Sequence, residues 1–341
     1  MKEIGSEFWL DDKIREEKYV YEETLVLSGR TAIDLIIQDI QRVRRVSTAY
    51  LPAYCCDSMI APFVRNGIKV VLYDMYFNGN LQYIIEENKS VDIFYVTNYF
   101  GYENTVGNDV IERFKAKGSI VIYDKTHSLF MDFDPTDALA DYTFASIRKW
   151  MGVVCGAVVY KSFGVFNATL VDYPFLQSKI EAMQEKRRYI EGDSNIEKQS
   201  FLNKYGEFGH HLAEDFQGYK MDPLSVSIWK QSDKRSIREV RRENAIVLHK
   251  ALSLQFIGRL TNHSCPVFVP VFFQKSKERN TVRKLLIEEQ IYCPIHWPKN
   301  QNLTPDMEVN RMFETELSLI CDQRYSVVDM ERIAKVINNI Y

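Results

Sequence analysis

From about residue 28 to 160 the chain alternates stretches with apolar residues at helical spacing and short runs of β-branched and aromatic residues. Positions 31–45 carry apolar residues at 32, 33, 35, 36, 37 and 40, the one-sided spacing of an amphipathic helix. Further helices are expected over 59–66 and 108–117, and strands over 48–52, 69–74, 92–98, 119–124, 141–146 and 156–160. These strands are apolar along their length, as in a sheet covered on both faces. The alternation predicts an α/β fold around a mostly parallel sheet.

The pattern then changes. Residues 177–221 are charged, helical in places, broken by Gly192 and Gly206 and poor in strand formers, so they read as an inserted or linking region. A long helical pattern over 223–252, through Ile228, Ile237, Val240 and Leu248, follows as a connector. Strand 267–273, helix 276–290, strand 291–294 and helix 327–340 then make a small α+β unit. The expected division is 1–222 for a large domain, with the charged helical insert at 177–222, and 223–341 for the connector helix and a small C-terminal domain.

Composition narrows the partners. A net charge of -3 with 26% charged residues creates no field that would gather nucleic acid or an anionic membrane, so small molecules are expected. The basic clusters at 42–45 and 234–242 are interleaved with apolar residues and read as solvated helix faces. The first twelve residues carry acids where a secretion signal needs a basic patch and an apolar run. No stretch approaches the roughly 20 apolar residues that span a bilayer, and a cytoplasmic location is expected. The six cysteines, at 55, 56, 155, 265, 293 and 321, form no CxxC pair and have no histidine at metal-ligand spacing. They predict reduced, packed thiols and no metal site.

Candidate chemistry gathers in three segments. Leu25-Val-Leu-Ser28-Gly29-Arg30-Thr31-Ala32 leads straight into the first helix, so amides at its start can face an anion. A plain serine cap would look the same. Asp124 closes the run Ser119-Ile-Val-Ile-Tyr-Asp124, at the strand end where open α/β sheets bind ligands. It reads either as a helix cap or as a desolvated carboxylate in need of a cation. His127 is either a structural hydrogen bonder or a ligand to an aromatic ring. Lys149, in Ala145-Ser-Ile-Arg-Lys-Trp-Met-Gly152, is either a surface charge or an amine whose pKa is lowered by Arg148 and burial. A strand-end carboxylate and a later lysine are the groups that hold pyridoxal 5'-phosphate (PLP), on the ring nitrogen and as a Schiff base respectively. There is no GxGxxG or Walker pattern, which counts against dinucleotide and NTP binding.

In order along the chain, Ser28-Gly29-Arg30-Thr31-Ala32, Leu51-Pro-Ala-Tyr54, Asn98-Tyr-Phe-Gly101, Tyr123-Asp-Lys-Thr-His127, Ser146-Ile-Arg-Lys149 and Ile291-Tyr-Cys-Pro-Ile-His-Trp-Pro298 resemble one family. It is the DegT/DnrJ/EryC1/StrS group of fold-type I PLP-dependent sugar aminotransferases. The resemblance implies a large domain with a mostly parallel seven-stranded sheet plus a small C-terminal α+β domain. It also implies a homodimer with the active site at the interface, and amino transfer, usually from glutamate, to a keto sugar that can be nucleotide-linked. By it, Lys149 is the Schiff-base lysine and proton carrier, Asp124 the pyridinium partner, and His127 the neighbour of the ring oxygen. Ser28, Gly29, Arg30, Thr31 and Ser146 would bind the phosphate, and Tyr54 and Asn98 would complete the cofactor site. His296 and Arg324 are candidates for substrate contacts, against a packed loop histidine and a surface ion pair.

The chain also departs from the family. Arg30 stands where the family has Thr, and Cys155-Gly156 where it has Gly-Gly. Cys56 falls where many members place the aromatic that stacks on the ring, which leaves Tyr54 as the substitute. The Gly-x-Asn-x-Arg-Met loop that reaches the partner's phosphate is replaced by Tyr219-Lys-Met-Asp-Pro-Leu224. Rival readings are another PLP reaction (decarboxylation, elimination or sulfur transfer) or a non-catalytic member that keeps the fold. Lys149 argues against a sugar dehydratase.

Overall fold

The apolar runs become strands of one sheet because their backbone groups, once buried, must be paired. In the computed structural model, which describes residues 3–11, 23–103, 105–132, 134–300 and 302–340, the strands in chain order are as follows. They are β1 (Ile4–Gly5), β2 (Thr24–Val26), β3 (Thr48–Pro52), β4 (Lys69–Phe77), β5 (Leu81–Ile84), β6 (Ile93–Thr97) and β7 (Ile120–Asp124). Then come β8 (Tyr142–Ser146), β9 (Ala157–Lys161), β10 (Gln255–Phe256), β11 (Val269–Phe272), β12 (Ile291–Tyr292) and β13 (Glu316–Leu319). The helices are α1 (Gly29–Val43), α2 (Asp57–Arg65), α3 (Asn108–Ala116), α4 (Gln177–Ile190) and α5 (Lys198–Glu214). The chain continues with α6 (Pro223–Gln231), α7 (Lys234–Ala251), α8 (Ser276–Glu288), α9 (Val309–Thr315) and α10 (Val327–Asn338).

The central sheet runs β2-β9-β8-β7-β6-β3-β4-β5, with β8, β7, β6, β3 and β4 parallel and antiparallel strands at both edges. Eight strands stand where seven were expected: β5 folds back on β4 as an antiparallel edge that a short, half-polar run did not announce. Alternation sorts the strand residues between two cores. Ile93, Tyr95 and Ile122 pack with α1 and α2, whereas Phe94, Val96, Val121 and Tyr123 pack with α3. Asp124, two residues after Ile122, therefore belongs to the α1 side.

Helix α1 begins at Gly29, two residues before the expected start, because Ser28 caps it by accepting from the Thr31 amide. The single helix expected over 223–252 is two, α6 and α7. Asp222 and Asp233 each accept an amide of the following turn, so each starts its own helix. The charged insert is the helical pair α4 and α5. The 234–242 cluster is not wholly a solvated face: Arg241 is fully buried, lies over the Trp150 ring and donates to carbonyls of Val267 and Trp150.

A separate core gathers α7, α8, α10, β11, β12 and β13. It also takes Ile4, because β1 pairs in parallel with β12. Short apolar content hid both β1 and β13. Among the described residues no helix is long and apolar enough to cross a membrane.

Candidate active site

The carboxyl ends of β6, β7 and β8 and the start of α1 open into one cavity of about 200 Å³. Register places Thr97 opposite Asp124 across β6 and β7. The chain leaving β8 turns at once through 147–149, which brings Lys149 to the same end as Asp124. Lining the cavity are Ser28, Gly29 and Arg30 from the cap of α1, Asp124, Thr126 and His127 after β7, and Ser146, Arg148 and Lys149 after β8. Cys56 and Trp297 are also part of the wall.

One end of the cavity is cationic. Arg30, Arg148 and the amino terminus of the fifteen-residue helix α1 meet there, and burial with Arg148 nearby lowers the pKa of Arg30. Burial first, then Arg148, also lowers the pKa of Lys149, which raises its share of neutral amine. Among the described residues no acidic side chain forms a close ion pair with Arg30, Arg148 or Lys149, and the nearest carboxylate acting on Arg148 and Lys149 is that of Glu7 on the far side of them. The opposite demand exists at Asp124, which is 5% exposed. Its Oδ2 accepts from the Tyr95 hydroxyl and its Oδ1 from the Thr126 amide, both at 2.8 Å. Burial raises its pKa even so, because neutral donors compensate a buried charge less than a cation does. The cavity thus suits a molecule with an anionic group at one end and a protonated ring nitrogen at the other.

His127 is oriented by its surroundings. Nδ1 accepts the Phe100 amide at 3.3 Å, which assigns the ring proton to Nε2. Trp297 stacks on the ring at 5.6 Å, and burial lowers the pKa to about 3, so the imidazole is neutral. Thr126 ties the site together: its hydroxyl accepts the Ser146 amide and its carbonyl accepts the Trp150 indole N–H.

A second cavity, of about 450 Å³, lies on the other side of Arg148 and Lys149. Its walls include Glu7 and Phe8, Arg283, His296 and Arg324. Lys179 holds Glu7 down to about 2. The Nε of Arg283 is buried and has no hydrogen-bond partner among the described residues.

Of the residues expected from sequence, Ser28, Gly29, Arg30, Asp124, His127, Ser146 and Lys149 share the first cavity. Thr31, Tyr54 and Asn98 lie outside its lining. Thr31 turns inward to Ser28, and Asn98 donates to Asp134 at the strand end. Tyr54 is buried among Tyr99, Phe313 and Trp297, and it is Trp297 that reaches the wall instead. His296 and Arg324 line the second cavity, but Arg324 is committed to Asp322 at 2.8 Å and to the carbonyls of Ser6 and Glu7. Arg324 is a clamp on the N-terminal segment. Sequence reasoning missed Tyr95, Thr126 and Trp297. The motif from Ile291 to Pro298 held a signal for Trp297; Tyr95 had none, since it looks like any strand aromatic.

No family model matches the sequence, and no curated protein matches it. Solved structures do. The aminotransferase PseC from Helicobacter pylori, involved in the biosynthesis of pseudoaminic acid, superposes with a TM-score of 0.68 at 12% identity, covering 99% of each chain. A DegT DnrJ EryC1 StrS aminotransferase from Brucella abortus gives 0.65 at 12% identity over 94% of this chain and 86% of its own. Spr1654 from Streptococcus pneumoniae, in its PLP form, gives 0.64 at 13% identity over 94% of this chain and 88% of its own. At such low identity the likeness concerns architecture, and the chain has the fold of these aminotransferases.

Proposed function

We propose that this chain is a PLP-dependent aminotransferase that carries an amino group from an amino acid, glutamate first, to a keto sugar, nucleotide-linked forms included. The observation that carries the reading is the one cavity in which Lys149, Asp124 and the Ser28–Arg30 helix start converge. PLP, when bound, supplies an aldehyde for the lysine amine and a ring that draws electrons from the substrate bond to be broken. The solved structures of like fold add support, since all three are described as aminotransferases and one of them is a PLP form.

Each residue has a role that follows from its setting. Ser28, Ser146, Arg30 and the free amides of α1 would hold the phosphate. Asp124 would keep a proton on the ring nitrogen, fixed in place by Tyr95 and Thr126. Lys149, with its lowered pKa, would offer a neutral amine and then move the substrate's α-proton. His127 Nε2–H would donate to the ring oxygen. Trp297 would shield the cavity from water where Cys56 is too small to stack. The second cavity, against Lys149, would receive donor and acceptor in turn. A homodimer working in the cytoplasm completes the proposal.

The test is spectroscopic. Purified protein given PLP should turn yellow, and the band should convert on adding glutamate. Lys149→Ala should abolish borohydride trapping at that position. A protein that PLP cannot colour sinks the reading; a coloured protein that no amino donor converts replaces amino transfer with another PLP reaction.

A further inference from the structure

Glu316 and Ser318, two residues apart on β13, share one face of the strand, and both are fully buried. That face meets the loop after β12. Oε2 of Glu316 accepts the backbone N–H of His296 at 2.7 Å. The Ser318 hydroxyl lies 2.5 Å from Oε1 of Glu316 and 2.8 Å from Nδ1 of His296. The other ring nitrogen, Nε2, has no hydrogen bond among the described residues, and His296 lines the cavity beside Lys149. Three polar side chains have thus been buried at a cost that only a closed set of hydrogen bonds offsets. The set ends at one open nitrogen.

We infer that Glu316, Ser318 and His296 form a proton relay through which His296 acts as general acid toward the substrate oxygen bound beside Lys149. The substrate's presence rests on the function proposed above; the relay itself does not. A serine hydroxyl has one proton, so the chain has a direction. With Glu316 protonated, its O–H donates to Ser318, Ser318 donates to Nδ1, and Nε2 carries a proton into the cavity. When Nε2 gives that proton to the oxygen that leaves as the amine joins the carbonyl, Ser318 passes its proton to Nδ1 and Glu316 passes its own to Ser318. Glu316 ends as a carboxylate, Nδ1–H donates to Ser318, and Nε2 holds a lone pair. Uptake of one proton from water resets the relay.

The surroundings favour the loaded state at neutrality. Burial pushes Glu316 up to about 8, against the opposing hydrogen bonds of Ser318 and the His296 amide and the pull of Arg279, which also donates to the Glu316 carbonyl. The neighbouring Tyr54 phenol and Cys293 thiol are pushed up by burial and stay neutral. Burial, Lys149 and the edge of the His127 ring at 5.7 Å keep His296 from becoming a cation.

Nitrogen-15 NMR of histidine-labelled protein tests the relay, with His296→Gln to assign the signal. Between about pH 6 and about pH 10 the His296 signal should change from the Nε2–H to the Nδ1–H form, with a midpoint near the Glu316 pKa. Glu316→Gln, whose amide donates to Ser318 at any pH, should hold the Nε2–H form throughout. An identical transition in that variant, or an unchanged tautomer in folded Ser318→Ala, overturns the relay. In single turnovers of the aminated enzyme with 2-oxoglutarate as probe, Glu316→Gln should slow the maximal rate about tenfold or more at unchanged half-saturation. An unchanged rate overturns the catalytic role. An intact NMR transition in protein that takes up no PLP leaves the relay standing and removes the proposed function.

Discussion

Tyr95 and Asp124 stand on adjacent strands with side chains in the same layer, and the Tyr95 hydroxyl donates to Oδ2 of Asp124 at 2.8 Å. Together with the Thr126 amide on Oδ1, this aims a buried carboxylate that, among the described residues, forms no ion pair and feels Lys149 only weakly. The pair is built to hold something positive.

If that is a pyridinium, the two members should differ sharply on substitution. Asp124→Asn should weaken PLP binding by about 3 kcal/mol or more, because a buried ion pair loses one partner. Tyr95→Phe should cost about 1 kcal/mol, the net worth of one hydrogen bond. Equilibrium dialysis measures both, and equal losses would show that Asp124 does not face the ring nitrogen.

The cationic end can be tested by removing the ligand's anion. Arg30→Ala should lower affinity for PLP by about 2 kcal/mol and leave affinity for pyridoxal, which lacks the phosphate, nearly unchanged. A parallel loss for both ligands would place Arg30 away from the phosphate.

Glu316 also sets a pH dependence of stability. Its pKa rises from 4.5 to about 8 on folding, so the folded state holds the proton more tightly than the unfolded chain. The associated stability is fully present below pH 4.5 and is lost as pH rises through about 8. Urea midpoints of the wild type should therefore fall between about pH 6 and about pH 9, and those of Glu316→Gln should fall less. Equal slopes would mean that Glu316 ionises freely when folded.

Gly101 joins the turn after β6 to the segment at 265–267. Its φ is +77, and a β-carbon there would stand 1.9 Å from the Cys265 carbonyl oxygen, which lies opposite on a fixed backbone. The Cys265 amide bonds back to the Gly101 carbonyl at 2.9 Å. Gly101→Ala should destabilise the protein by about 3 kcal/mol or more in denaturant titration. Gly67→Ala, also left-handed but in open space, should cost only about 1 kcal/mol.

Much of this architecture was legible along the chain. Apolar periodicity located α1, α2, α3 and the interior strands, since those elements bury one face or both and must repeat accordingly. The cap Ser28, the strand-end Asp124 and the later Lys149 could be marked because local backbone chemistry prepares each: a helix start, the end of a buried strand, a turn. What could not be read along the chain was whatever depended on distant neighbours. Tyr54 was expected at the cofactor because it stood near Cys56 in sequence, but it packs in an aromatic cluster from which Trp297, more than 240 residues away in sequence, reaches the wall. Arg324, a candidate for substrate contact, lines the second cavity while also binding Asp322 and the carbonyls of the N-terminal segment, partners that no local pattern announced.

Sequence alone determined the elements and the residues that each offers at its ends, because periodicity and capping act over a few residues. Tertiary structure alone decided which of those ends meet. The Tyr95–Asp124 bond needs the register of two strands, and the Glu316–Ser318–His296 chain needs a strand and a loop brought together around the core of β11, β12 and β13. No local pattern carries such information, since a side chain's charge and tautomer are set by whatever atoms the fold places within about 3 Å of it.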